Sequence, residues 1–213
     1  MKELFAISFF FTGISLFGMF MMMDDFIALW IGSKYILGNR ILILFLVNFF
    51  IRQQTGIVEM FINGFGLFSD IYAPAAESLI FLPAAIIGGI FWGQAGVILG
   101  GVVSRCIIWQ LWKPYFLFKC GFQMPIWIYW RFWFRHVVVQ VFAYSISWTL
   151  FTFFRSSLPS GLLGFILGAL LSATIYAVVS GFLMYYITEG TRECFIRLQK
   201  RFCCWRLYPK NSA

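Results

Sequence analysis

Six apolar runs recur along the chain, and the short links between them together with the two ends of the chain hold most of the charged residues. Each run approaches or exceeds the roughly 20 residues that a helix needs to cross a bilayer. The pattern predicts spans at 4–23, 41–66, 75–92, 95–112, 132–154 and 161–187. The first run is longer than the roughly 7 to 15 apolar residues of a signal-peptide core, and no small-x-small site precedes Asp24. It reads as an uncleaved span.

The links carry their own signals. Residues 24–40 begin with Asp24 and Asp25 and hold Trp30 and Tyr35, the composition of a loop at a membrane surface. Pro83 falls inside the third run and predicts a kink there. Gly93-Gln94 predicts a tight turn between the third and fourth runs. Gly96, Gly100 and Ser104 recur every four residues, a spacing of small side chains that lets another helix approach closely. Residues 113–135 combine Lys113, Lys119, Arg131 and Arg135 with Trp127, Tyr129, Trp130 and Trp133, and are expected to lie along the membrane surface. Two regions result: a transmembrane bundle over 1–187 and a basic tail over 188–213.

Composition changes the picture from apolar runs to an integral membrane protein. With 62% hydrophobic, 22% aromatic and 11% charged residues, the chain lies far from water-soluble domains, in which about a quarter of residues are charged. The formal charge of +8 sits between the apolar runs and in the tail, not on a polar face interleaved with stacking aromatics. Nucleic acid is therefore not an expected partner. With the N-terminus inside, the inner segments hold Lys2, Lys113, Lys119, Arg131, Arg135 and the basic tail, against Lys34, Arg40 and Arg155 outside. This bias predicts cytoplasmic placement of both termini.

Charge within the runs is the candidate chemistry. Arg52, Gln53, Gln54 and Glu59 lie inside the second run and Arg105 inside the fourth. An arginine at the centre of a membrane helix costs roughly 2.5 to 3.5 kcal/mol on translocon-insertion scales, so it faces a protein interior or a wet cavity and has a partner there. Arg52 and Glu59 are two helical turns apart, near one face, with Thr55 and Gly56 between them. Glu59 is accordingly expected to be an ion-coupling group or the charge partner of Arg52. Asp24, Asp25 and Glu77 read as loop and helix-start charges, and His136 as structural. The five cysteines form no CxxC pair, and no metal-ligand spacing, phosphate loop or Ser/His/Asp set occurs. No metal, no cofactor and no enzymatic activity are expected.

The motifs Asp25-Phe-Ile-x-Leu-Trp-Ile-Gly-x-x-Tyr35-x-Leu37, Asn48-Phe-Phe-Ile-Arg52-Gln53, Gly66-Leu-Phe-x-Asp70-x-Tyr72-x-Pro74-x-x-Glu77, Gly96-Val-Ile-Leu-Gly100-x-x-x-Ser104 and Lys113-Pro-Tyr-x-Leu-x-Lys119 occur in this order. Together they resemble the C-terminal half of Wzx-type polysaccharide flippases, of the multidrug/oligosaccharidyl-lipid/polysaccharide exporter superfamily. The resemblance implies an all-α, polytopic bundle corresponding to one of the two bundles of such an exporter, in the bacterial inner membrane. It also implies movement of an undecaprenyl-diphosphate-linked oligosaccharide between leaflets, with Arg52 and Arg105 as the groups for the diphosphate. Its implied partners are that lipid-linked oligosaccharide, the surrounding lipids, and either a missing N-terminal bundle or a second copy of the chain. Two positions depart from the family pattern: Glu77 is followed by Ser-Leu-Ile-Phe81-Leu82 where the family has Glu-x-x-x-Asn-Leu, and Gly100-Gly101 stands where Gly-Thr is common.

Two other readings compete. One is a non-transporting membrane partner or remnant that associates through the Gly96, Gly100 and Ser104 face. The other is a membrane enzyme of polysaccharide assembly, which needs a cluster of catalytic groups that the scattered Asp24, Asp25 and Asp70 do not supply.

Overall fold

The computed structural model describes residues 1–36, 38–67, 71–156, 159 and 161–188. The expected basic tail lies outside these residues, apart from Thr188. The described chain is all-α and contains six helices long and apolar enough to cross a membrane. They are α1 (Lys2–Trp30), α2 (Asn39–Gly64), α3 (Ala73–Trp92), α4 (Gln94–Phe122), α5 (Trp127–Arg155) and α6 (Leu162–Ile187). The chain is a membrane-embedded helical bundle.

Three boundaries differ by more than two residues from those that the sequence predicts. α1 runs on through Asp24 and Asp25 to Trp30, because Asp25 is held by Arg155 at the end of α5 at 2.8 Å. The other two differences concern residues 113–135, which form no separate surface segment: 113–122 continue α4 and 127–135 open α5. The aromatic and basic residues there suggested an interface, yet Leu117, Phe118 and Tyr129 are core residues. α4 ends where Gln123 takes a left-handed conformation (φ 53°), and Pro125 follows. A helix cannot propagate through that pair.

The helices fall into two groups of three. In the first, α1 packs against α6 and α5, and α5 against α6; in the second, α2 and α3 both pack against α4. Contacts between α1 and α2 join the groups. One core cluster, around Phe17, Met21, Ala143, Phe151 and Tyr176, belongs to the first group alone. The other, around Phe9, Val58, Leu117, Tyr129 and Met184, draws on every helix except α3.

α3 is attached differently. Among its residues only Ala73, Ala85 and Gly88 are buried. Pro83 remains inside the helix and does not end it. Gly93, at φ 59°, reverses the chain into α4 with a conformation that glycine adopts without strain. The two backbones then meet. A Cβ at Gly96 would overlap the Gly88 carbonyl, and one at Gly100 would lie 2.6 Å from the Ala85 nitrogen. In lipid, helices gain little from hydrophobic association, so close backbone contact between small residues supplies the attachment. Gly96 and Gly100 are thus covered by α3 of the same chain, and Ser104 on the same face is fully buried, so this face is not a surface open to another protein.

Candidate functional site

Arg52 lies at the midpoint of α2, about 20 Å from its start at 1.5 Å per residue. It lines a cavity of about 470 Å³ between α2, α3 and α4, together with Ile51, Gln53, Thr55, Gly56, Glu59, Glu77, Arg105 and Trp109. The helical register explains this lining. Arg52, Gly56 and Glu59 recur at three- and four-residue steps along α2, while Gln54, Val58 and Ile62 turn into the core. Gln54, 1% exposed, is therefore separated from its neighbour Gln53.

Arg105, Trp109 and Lys113 form a row at four-residue steps along α4. This part of α4 is π-helical from Cys106 to Trp112. π-helical turns are rare and occur frequently at functional sites. Pro114 follows at once; its ring crowds the carbonyl four residues back, and a widened turn gives that carbonyl room.

Two ion pairs cross the seam. The Arg105 Nε–H donates to Glu77 Oε1 at 3.3 Å, and its Nη1 donates to Asn48 Oδ1. The Trp109 indole N–H donates to the other Glu77 oxygen at 2.5 Å. This network ties α2, α3 and α4 together. Nearer the end of α2, Lys113 donates to Glu59 Oε1 at 2.8 Å and lies 3.6 Å from the centre of the Trp109 ring. Glu59 therefore pairs with Lys113, not with Arg52 as the sequence suggested. An arginine and a glutamate on one helix looked complementary, but Lys113 on α4 faces Glu59 directly.

Arg52 is left over. Among the described residues no carboxylate lies within ion-pair distance of its guanidinium. Its own backbone carbonyl accepts the Thr55 hydroxyl at 2.7 Å, which satisfies that hydroxyl within the helix. Arg52, Arg105 and Lys113 set against Glu59 and Glu77 leave the site with one excess positive charge, in a setting where charges are screened far less than in bulk water.

The structure brings Arg52, Arg105 and Glu59 to one seam. It adds Asn48, Glu77, Trp109 and Lys113, which sequence reasoning had not assigned to the site. The signal for two of them was present in the row of Arg105, Trp109 and Lys113, but Lys113 was read as an interface lysine. Glu77, read as a helix-start charge, is drawn inward because the tight α3–α4 turn places it opposite Arg105. Among the described residues no group of three or more metal-ligating side chains occurs.

His136 is fully buried between Phe9 and Phe132, away from this seam, and its Nδ1 lies 2.9 Å from the Phe132 carbonyl. Compared with known protein families, with curated proteins and with solved structures, the chain matches none of them.

Proposed function

We propose that the protein moves a lipid-linked anionic substrate across the bacterial inner membrane. The substrate best suited to the site and to the sequence motifs is an oligosaccharide on a prenyl diphosphate. The observation that carries this reading is Arg52: an exposed cation at mid-helix, lining a polar cavity and without a carboxylate partner among the described residues. A guanidinium at that depth is costly unless an anion or water meets it. Its planar fork suits phosphate oxygens, which it holds by charge-assisted paired hydrogen bonds.

The cavity is not enclosed, which suits a substrate whose prenyl chain stays in lipid while its head group enters the protein. Glu59 and Lys113 neutralise each other. Arg52 is then the cavity's cation left without a carboxylate partner among the described residues, ready for an entering diphosphate.

The test is transfer of a fluorescent prenyl-diphosphate sugar between leaflets of proteoliposomes. Arg52→Ala is expected to lower the rate at least about tenfold, the scale of one charge-assisted contact, with membrane insertion unchanged. Arg52→Lys is expected to recover part of that rate, since it restores the charge but not the fork. Equal rates for all three proteins would remove Arg52 from the reading.

A further inference from the structure

We infer that Arg105 is a second phosphate ligand held in reserve, with Glu77 occupying it until the substrate anion displaces the carboxylate. The inference rests on the anion-binding reading of this cavity.

It begins with which edge of Arg105 is engaged. A guanidinium offers a fork of parallel donors from Nε and Nη2, and a carboxylate or phosphate that uses both makes the stronger, bidentate contact. Glu77 does not use both. Its Oε1 reaches only Nε, at 3.3 Å, and its Oε2 is committed to the Trp109 indole at 2.5 Å. Nη1 is turned away to Asn48, and Nη2 has no partner among the described residues. Glu77 therefore holds half of the fork, at a long distance, and Trp109 prevents it from taking the rest.

Exposure separates this pair from its neighbour. The Arg105 side chain is 33% exposed and lines the cavity, whereas the Lys113 side chain is 5% exposed under its pair with Glu59. An anion in the cavity can reach the first cation and not the second. Displacement also leaves Glu77 a partner, because the indole N–H still donates to it. A phosphate bridging Arg52 and the Arg105 fork thus gains two guanidinium contacts at the loss of one long hydrogen bond. The site is closed to weak anions and opens to one that can complete the fork.

The measurement is calorimetric binding of farnesyl diphosphate to the full chain in lipid nanodiscs, referenced to empty discs. Glu77→Gln keeps the side-chain shape and removes the competing charge; it is expected to tighten binding roughly tenfold. Adding Arg105→Gln to that variant is expected to return affinity to the wild-type value or below. Trp109→Phe removes the donor that restrains Glu77, letting both carboxylate oxygens close on the fork, and is expected to weaken binding severalfold. This variant reads the same device with opposite sign, so the idea remains decidable if Glu77→Gln does not fold.

Wild-type binding that depends on Arg52, with Glu77→Gln tighter and Trp109→Phe weaker, supports the inference. Binding lost in Arg52→Ala but unchanged or weakened in Glu77→Gln overturns the reserve role and leaves the anion site standing. Should Glu77→Gln fail to fold, unchanged or tighter binding by Trp109→Phe overturns it equally. Binding that ignores Arg52→Ala, or no binding by the wild type, overturns both.

Discussion

The two three-helix groups solve the same packing problem with different side chains. In α1, α5 and α6 the centre is aromatic: Phe17 stacks on Tyr176 and meets Tyr144 and Phe151 edge-on. Tyr176 donates there to Gln140, and the Gln140 amide donates to the Phe9 carbonyl at 2.9 Å. In α2, α3 and α4 the centre holds glycines on one side and charges on the other. Large rings fill space and exclude water. Small residues bring backbones together, and the long charged side chains beside them line a cavity of about 470 Å³. The comparison teaches that the first group is packed about an aromatic centre, whereas the second is arranged around a cavity lined by charged side chains.

The sharpest way to break this comparison is to put bulk where the second group has none. Gly96→Leu drives a side chain into the Gly88 backbone and is expected to destabilise the protein by at least about 3 kcal/mol, or to prevent its folding. Thermal unfolding in detergent reads this directly. A stable Gly96→Leu protein would mean that α3 is not held by the glycine seam.

Water access comes next. In a chain with its native cysteines replaced by serine, Gly56→Cys lines the cavity and has no atom near its new Cβ, whereas Ala143→Cys sits fully buried in the aromatic group. A charged, membrane-impermeant thiol reagent is expected to label the first and spare the second. Labelling of both, or of neither, would erase the distinction between an open group and a closed one.

The smallest effect sharpens the contrast between glycines. At Gly181 on α6 an added Cβ meets only the Phe10 ring, at an ordinary 3.6 Å. Gly181→Ala is expected to leave stability unchanged or raise it by up to about 1 kcal/mol, through lower chain entropy in the unfolded state. Unfolding of this variant beside Gly96→Leu shows whether glycine acts by approach or merely by occurrence.

Much of the scaffold was legible in the sequence because lipid imposes length and apolarity on every span. The Gly93 turn and the Gly96, Gly100 and Ser104 seam were legible too, since both depend on residues close along the chain. The pairings were not. Glu59 lies 54 residues from Lys113, and Glu77 lies 28 from Arg105; no local periodicity reveals which distant helix supplies a counter-charge. Lys113 shows why. Beside tryptophans and a proline it carries every mark of an interfacial lysine, yet α4 continues beyond it and Trp109 covers its ammonium group. Arg52 was visible as a misplaced charge, but its lack of a carboxylate partner among the described residues emerges only once Glu59 is found to be engaged elsewhere.

The tight turn at Gly93 also bears on how the chain enters the membrane during synthesis. α3 and α4 are consecutive and joined by a single residue, so Glu77 and Arg105 can meet within one hairpin before any other helix has docked. A hairpin entering lipid as a unit presents a neutral pair in place of two separate charges, each of which is costly at the centre of a bilayer. Arg52 has no such local counter-ion. α2 must instead carry its charge past the translocon on the strength of the apolar residues around it, chiefly the unbroken run Ile41 to Val47 ahead of it. The hairpin is thus a device of biogenesis as well as of architecture.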